Sequence, residues 1–250
     1  MPYVIDKATS LSILMDLLAI PGVSGREGAV VREIVGRLRS AGVPKDAIHT
    51  DNAHRRSPLR GEVGNLVCRL EGTVRAPRRM LMAHVDTVPL CEGARPVRRG
   101  GYIVPAARDT ALGADNRGGA AVILNTLLHI LKHRLHHPPL TFFWPVQEEV
   151  GLHGVEYAAM GLLGRPRLAF NFDGGRPEKL TVGATGAYRM EIEITGKASH
   201  AGMAPEEGVS AVAIAGCAIA ILQRKGWHGK IQKKAGTGTS NIGAIEGGGA

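Results

Sequence analysis

The sequence predicts an α/β protein: a mostly parallel sheet with helices on both faces, followed by a partial, smaller α+β unit. Two features carry that expectation. Between residues 65 and 173, short apolar runs of strand length alternate with longer stretches of helical periodicity, the order that builds a parallel sheet. From about residue 185 the texture changes to strict polar–apolar alternation, as an antiparallel strand requires. The expected parts are residues 1–184 and 185–250.

The first elements are helical. SLSILMDLLAI (10–20) repeats apolar residues at helical spacing behind a serine cap and stops at Pro21-Gly22. SGREGAVVREIVGRLRSAG (24–42) offers Ser24 as N-cap with Glu27 three residues on, a capping-box pattern, and ends at Gly42. NLVCRLEG (65–72) and RRMLMAHV (78–85) read as strands, and the turn residues between them predict a hairpin. A long loop follows over 86–113, rich in Gly, Pro and Arg. Next come an apolar helix (116–134), a buried strand TFFWPV (141–146), a helix (152–163) and a strand RLAFNFD (167–173). The second part should hold a strand over 187–198, a helix over 205–225 and a strand over 238–247.

Composition narrows the function. Hydrophobic residues make up 44% of the 250, enough for a sizeable core. The formal charge of +9 raises nucleic acid as a partner. Yet the basic residues sit in scattered pairs, with no basic helix, aromatic-rich RNA-binding strand or zinc-finger spacing, so no nucleic acid is expected. The longest apolar stretch, residues 209–222, is too short to span a bilayer, so no membrane is expected either. Three cysteines, an odd number without CxxC, fit reduced thiols. The N-terminus lacks a basic segment followed by an apolar one, so a cytoplasmic location is expected.

The imidazole and carboxylate groups fall at strand ends. His84 and Asp86 close one strand, Asp115 sits at a helix entry, Glu148 and Glu149 close a second strand, and Asp173 closes a third. Each alone is an ordinary turn or cap group. A doubly wound sheet brings the carboxyl ends of its strands to one edge, so four such segments should converge there. Carboxylates gathered in a cleft raise one another's pKa and lose hydration, so they call for a cation. Imidazole mixed with carboxylate suits Zn²⁺, Mn²⁺ or Co²⁺ better than Mg²⁺ or Ca²⁺.

HVDTVP, GADNRGG, QEEVGLHG, NFDGG and GKASHAG occur in the order and spacing of the M20 family of metallopeptidases, the aminoacylase and carboxypeptidase-like clan, which the chain resembles over nearly its whole length. ALGADN after a long loop, FDGG and GATGAY look most like the peptidase T-like branch. The resemblance implies a hydrolase of short peptides or N-acyl amino acids using two divalent metal ions, Zn²⁺ foremost. A tripeptide-type aminopeptidase is favoured over a deacylase or carboxypeptidase. His84 would bind one ion with Asp173, Asp115 would bridge both, and Glu149 would bind the other. Glu148 would be the general base and Asp86 would orient His84. His200, on the lid, would help hold the oxyanion in a partner subunit, which implies a homodimer through the lid. The bond after Asp115 would be cis.

The chain also departs from that pattern. The family's remaining ligand is a histidine near the end of a longer chain, and the sequence stops at AIEGGGA without it. Either a fragment of a longer protein or a truncated descendant is implied. Outside the enzyme class the alternatives are a non-catalytic truncated remnant, against which the retained Glu148 argues, and a nucleic-acid binder as a third option.

Overall fold

A computed structural model describes residues 5–248. The chain divides into two compact units, Met1–Leu180 and Thr181–Ala250. In order, the first unit runs α1 (Lys7–Ala19), α2 (Gly28–Ser40), β1 (Ile48–Thr50), α3 (Ala53–Arg56), β2 (Leu66–Leu70), β3 (Arg79–Met82), β4 (Pro96–Arg99), β5 (Tyr102–Pro105), α4 (Ala114–Lys132), β6 (Leu140–Trp144), α5 (His153–Glu156) and β7 (Leu168–Asn171). The second holds α6 (Ala211–Arg224), β8 (Gly229–Lys233) and β9 (Gly236–Ser240).

Five strands make the central sheet in the order β1-β2-β6-β3-β7. β6 pairs parallel with β3, and β3 parallel with β7. β2 runs antiparallel to both β1 and β6, so four of the five strands point the same way. The predicted 65–72/78–85 hairpin is therefore wrong: β6 lies between its two arms. Leu66, Val67, Cys68 and Leu70 are all buried, and a strand covered on both faces belongs in the interior of a sheet with a neighbour on each side.

Helices cover one face through a core of Ile13 and Leu17 (α1), Val30, Ile34 and Leu38 (α2) and Ile123, Leu124 and Leu127 (α4) against Leu66, Cys68, Phe142 and Trp144. Each such side chain contributes about 1.5–3 kcal/mol by leaving water. The opposite face is thinner: Val67, Met80 and Phe143 pack beneath Leu163, with Ala158 and Leu162 beside them.

Local signals differ from the expected ones in several places. α1 is capped by Asp6, whose carboxylate accepts from Thr9 N at 3.0 Å, and not by Ser10. The capping box at Ser24 and Glu27 does not form. The helix starts at Gly28, and both side chains turn instead toward the ends of the sheet strands. The 86–113 loop contains the β4–β5 hairpin, turned at Gly100-Gly101. The 152–163 helix is two short pieces, His153–Glu156 and a 3-10 turn at Met160–Leu163.

In the second unit, residues 187–198 form no strand; Lys197 bridges Val209, and Tyr188, Met190 and Ile192 are exposed. The alternating pattern has no partner strand beside it among the described residues. α6 is capped by Ser210, which accepts from Ala213 N at 3.1 Å. β9 pairs with β8, a strand that its Gly- and Lys-rich sequence does not announce. No helix among the described residues is long and apolar enough to cross a membrane.

α4 sets the approach of helix to sheet. Its first residues are irregular: the Asp115–Asn116 peptide bond is cis, as the resemblance implies, and Asn116 Oδ1 accepts from Gly119 N at 3.1 Å, so Asn116 caps the regular helix. A Cβ at Gly119 would meet Phe172 O at 1.9 Å. Only glycine lets the helix entry pass so close to the strand exit that carries Asp173. Gly119→Ala is expected to cost about 1–3 kcal/mol through overpacking. It should lower the thermal midpoint by several degrees, and a variant melting with the parent would show that this contact does not hold α4 in place.

Candidate metal centre

β3, β6 and β7 run parallel, so their carboxyl ends emerge at one edge. The pairing continues past each strand. Ala83 N donates to Phe143 O and Val85 N to Pro145 O, while Phe172 N donates to Met82 O. Strand alternation then puts His84 and Asp86 on the same side. The five expected ligand and base residues meet there. One ligand atom each from His84, Glu148 and Asp173 lies within 4.8 Å of the others, and the same holds for His84, Asp115 and Glu149.

His84 is the shared member. It is almost fully buried, with Nδ1 directed at Asp86, 3.2 Å from its backbone O and 3.3 Å from Oδ1. Nε2 faces outward, 3.2 Å from Asp115 Oδ1 and 3.8 Å from Glu148 Oε2. With Nδ1–H committed to Asp86, Nε2 presents either a lone pair or a proton to the carboxylates. A lone pair there is repelled unless a cation stands between. This is the arrangement of a metal-binding imidazole oriented by a carboxylate. The donor set therefore fits divalent ions of the zinc type. The Asp115 side chain is 68% exposed, so the centre opens to solvent.

Asp86 is wholly buried and carries the structural weight. Its carboxylate accepts from Ser24 Oγ (2.7 Å), Glu148 N (3.0 Å) and Glu149 N (3.1 Å) while holding His84. Burial pushes its pKa up, but these bonds outweigh that and hold it below the usual carboxylate range. Burial opposes a charge on His84, yet the Asp86 hydrogen bond and the Asp86, Glu148 and Asp173 charges lift its pKa to about 9. Burial, together with neighbouring carboxylates, raises both Glu148 and Glu149 against the pull of His84. Perturbed imidazole and carboxylate groups gathered in one small cluster mark a candidate functional site.

Two supports were not apparent from residue type. Ser24, read as a helix cap, anchors Asp86. Arg117, one position past the helix cap, is fully buried and donates to Leu17 O (2.8 Å), Ile20 O (3.2 Å) and Gly22 O (3.4 Å). It ties the 20–24 segment to α4, and burial lowers its own pKa to about 10. An arginine on the inward face of an apolar helix was the available signal. His200 lies in the second unit, in a turn where its Nδ1 accepts from Gly202 N at 3.1 Å.

Comparison with known proteins agrees with this chemistry. Residues 65–208 match Peptidase family M28, and residues 182–250 match the Peptidase dimerisation domain of the M20 type. An uncharacterised protein of Bacillus subtilis, YqjE, is 32% identical over 74% of this chain and 48% of its own length. Carboxypeptidase G2 of a Pseudomonas species is 36% identical over 53% of this chain and 32% of its own. A crystallographic tripeptidase from Staphylococcus aureus superposes with a TM-score of 0.75 at 25% identity, over 98% of this chain and 62% of that one. The chain thus spans less than two thirds of the length of each of these relatives. With residues 65–208, more than half of the chain, matched by its model, the chain belongs to Peptidase family M28, and its C-terminal part matches the dimerisation domain of M20-type peptidases.

Proposed function

We propose that this chain supplies the centre of a metal-dependent peptidase that cleaves the amide bonds of short peptides, a tripeptide-type aminopeptidase working with two divalent ions, Zn²⁺ foremost and Mn²⁺ or Co²⁺ as alternatives. The observation that carries the reading is the pair of ligand groups sharing His84 at the sheet edge. His84 and Asp173 would hold one ion, Glu149 the other, and Asp115 both. Bound there, the ions would polarise the scissile carbonyl and acidify the attacking water.

The chain's own residues do the rest. Glu148 would serve as general base, taking a proton from the attacking water and passing it to the leaving amine. Its raised pKa is in the direction a base working near neutrality needs. Residues 1–184 form the metal-binding part and 185–250 the lid. His200 donates to the tetrahedral oxyanion across a homodimer. The three free cysteines support a reducing, cytoplasmic setting. The similarity to the Staphylococcus tripeptidase supports a tripeptide as substrate. The identity with carboxypeptidase G2 favours a second reading, a carboxypeptidase or N-acyl amino acid deacylase at the same centre.

Titration of the metal-stripped chain with Zn²⁺ is expected to show two ions per chain. Zn²⁺ at about a hundred times the dissociation constant of a site should stabilise the fold by roughly 2.7 kcal/mol for each ion bound, and chelator should reverse the shift in thermal midpoint. A chain that binds no ion overturns the proposal. Free and N-acylated tripeptides, offered to the loaded protein, separate the two substrate readings.

A further inference from the structure

Beyond β6 the chain leaves the sheet ladder, yet its backbone is not left to water. Four consecutive amides are each taken by a side chain from elsewhere. Val146 N donates to Asn65 Oδ1 (3.0 Å), Gln147 N to Glu27 Oε1 (3.1 Å), Glu148 N to Asp86 Oδ1 (3.0 Å) and Glu149 N to Asp86 Oδ2 (3.1 Å). Gln147 sits in the left-handed region at φ 55°, a conformation that non-glycine residues hold only when their surroundings fix it. Its side chain is fixed as well, accepting from Ser57 Oγ at 2.5 Å and donating to Arg60 O. The two residues that follow are the base and a ligand of the proposed centre.

Glu27 is the least expected member of this set. It is fully buried, and its Oε1 accepts from both Gly25 N (2.8 Å) and Gln147 N (3.1 Å). The same oxygen thus joins the 22–27 segment, which delivers Ser24 to Asp86, to the segment that delivers Glu148 and Glu149. Its Oε2 is buried without a hydrogen-bond partner among the described residues. An ionised oxygen in that position costs more than a protonated or amide group does. We propose that Glu27 is a positioning residue of the reaction, whose carboxyl oxygen fixes the path of Gln147 and thereby the aim of Glu148 and Glu149. The inference rests on the proposed metal centre for its catalytic meaning and on the hydrogen bonds above for its mechanical one. Burial also pushes the Glu27 pKa up to about 7, so a neutral side chain suits the pocket near neutral pH.

Three substitutions separate positioning from mere filling of space. Glu27→Gln keeps a neutral oxygen acceptor in place, Glu27→Asp keeps the acid but draws its oxygen back by one methylene, and Glu27→Ala removes the acceptor. Deuterium exchange over residues 145–152 of the metal-free chain should accelerate in the Asp and Ala variants and stay at the parent rate in the Gln variant. Zn²⁺ affinity, read by calorimetry, should fall about 10- to 100-fold in the first two and remain within threefold for Gln. In turnover the loss should fall on kcat with KM near the parent value. Parent-like exchange in a folded Glu27→Ala or Glu27→Asp chain overturns the inference, as does a Gln variant as impaired as Ala. If the parent binds no Zn²⁺ while exchange follows the predicted order, the metal reading fails and the Gln147 anchor stands.

Discussion

Glu148→Gln is expected to lower kcat by roughly a hundred- to ten-thousand-fold, the range lost when a positioned general base is removed. The substitution is close to isosteric, and the backbone amide of residue 148 still donates to Asp86 Oδ1. What disappears is a carboxylate able to take a proton, 3.8 Å from His84 Nε2 and beside Asp173. Zn²⁺ content by elemental analysis and the thermal midpoint should stay near those of the parent, which distinguishes a lost base from a lost site. Parent-level turnover in this variant would remove Glu148 from the chemistry and force the base to be sought elsewhere at the sheet edge.

Asp86→Ala should act on fold and centre together. The carboxylate is wholly buried and holds His84, Ser24, Glu148 and Glu149 at once. Removing one side of a buried, charge-assisted network costs about 3–5 kcal/mol, because the partners remain in place without acceptors. The expected readings are a lower urea midpoint and, in the fraction that folds, Zn²⁺ binding weakened by about 10- to 100-fold as His84 loses its orientation. A variant as stable as the parent would mean that water enters and replaces the carboxylate, contrary to its full burial.

Much of the candidate centre was legible because potential metal-ligating side chains are conspicuous at strand ends. His84, Asp115, Glu148, Glu149 and Asp173 announce themselves as polar groups closing apolar runs, and the parallel arrangement of β3, β6 and β7 brings them together. The supports were harder to see because their local signals have a simpler explanation. Ser24 followed by Glu27 reads as a helix cap, and only the fold shows that both reach residues 62 to 120 positions away. Strand order was misread for a related reason. The turn residues at 72–77 suit a hairpin, and nothing within ten residues reveals that a strand beginning at Leu140 separates the two arms. β8 and the short strand β1 carry too little apolar patterning to stand out, since pairing, more than propensity, makes them strands.

The insertion of β6 between β2 and β3 has a consequence in time. On a ribosome, β2 and β3 emerge long before residues 140–144 exist, and each waits with an unpaired edge. The sheet's middle closes only across a sequence separation of more than 50 residues, the kind of non-local pairing that slows folding and leaves strands open to aggregation. His84 and Glu148 become neighbours through that same closure. No half-made chain can therefore bring the candidate ligand groups together, and any metal they take during biosynthesis would arrive late, once the sheet is finished.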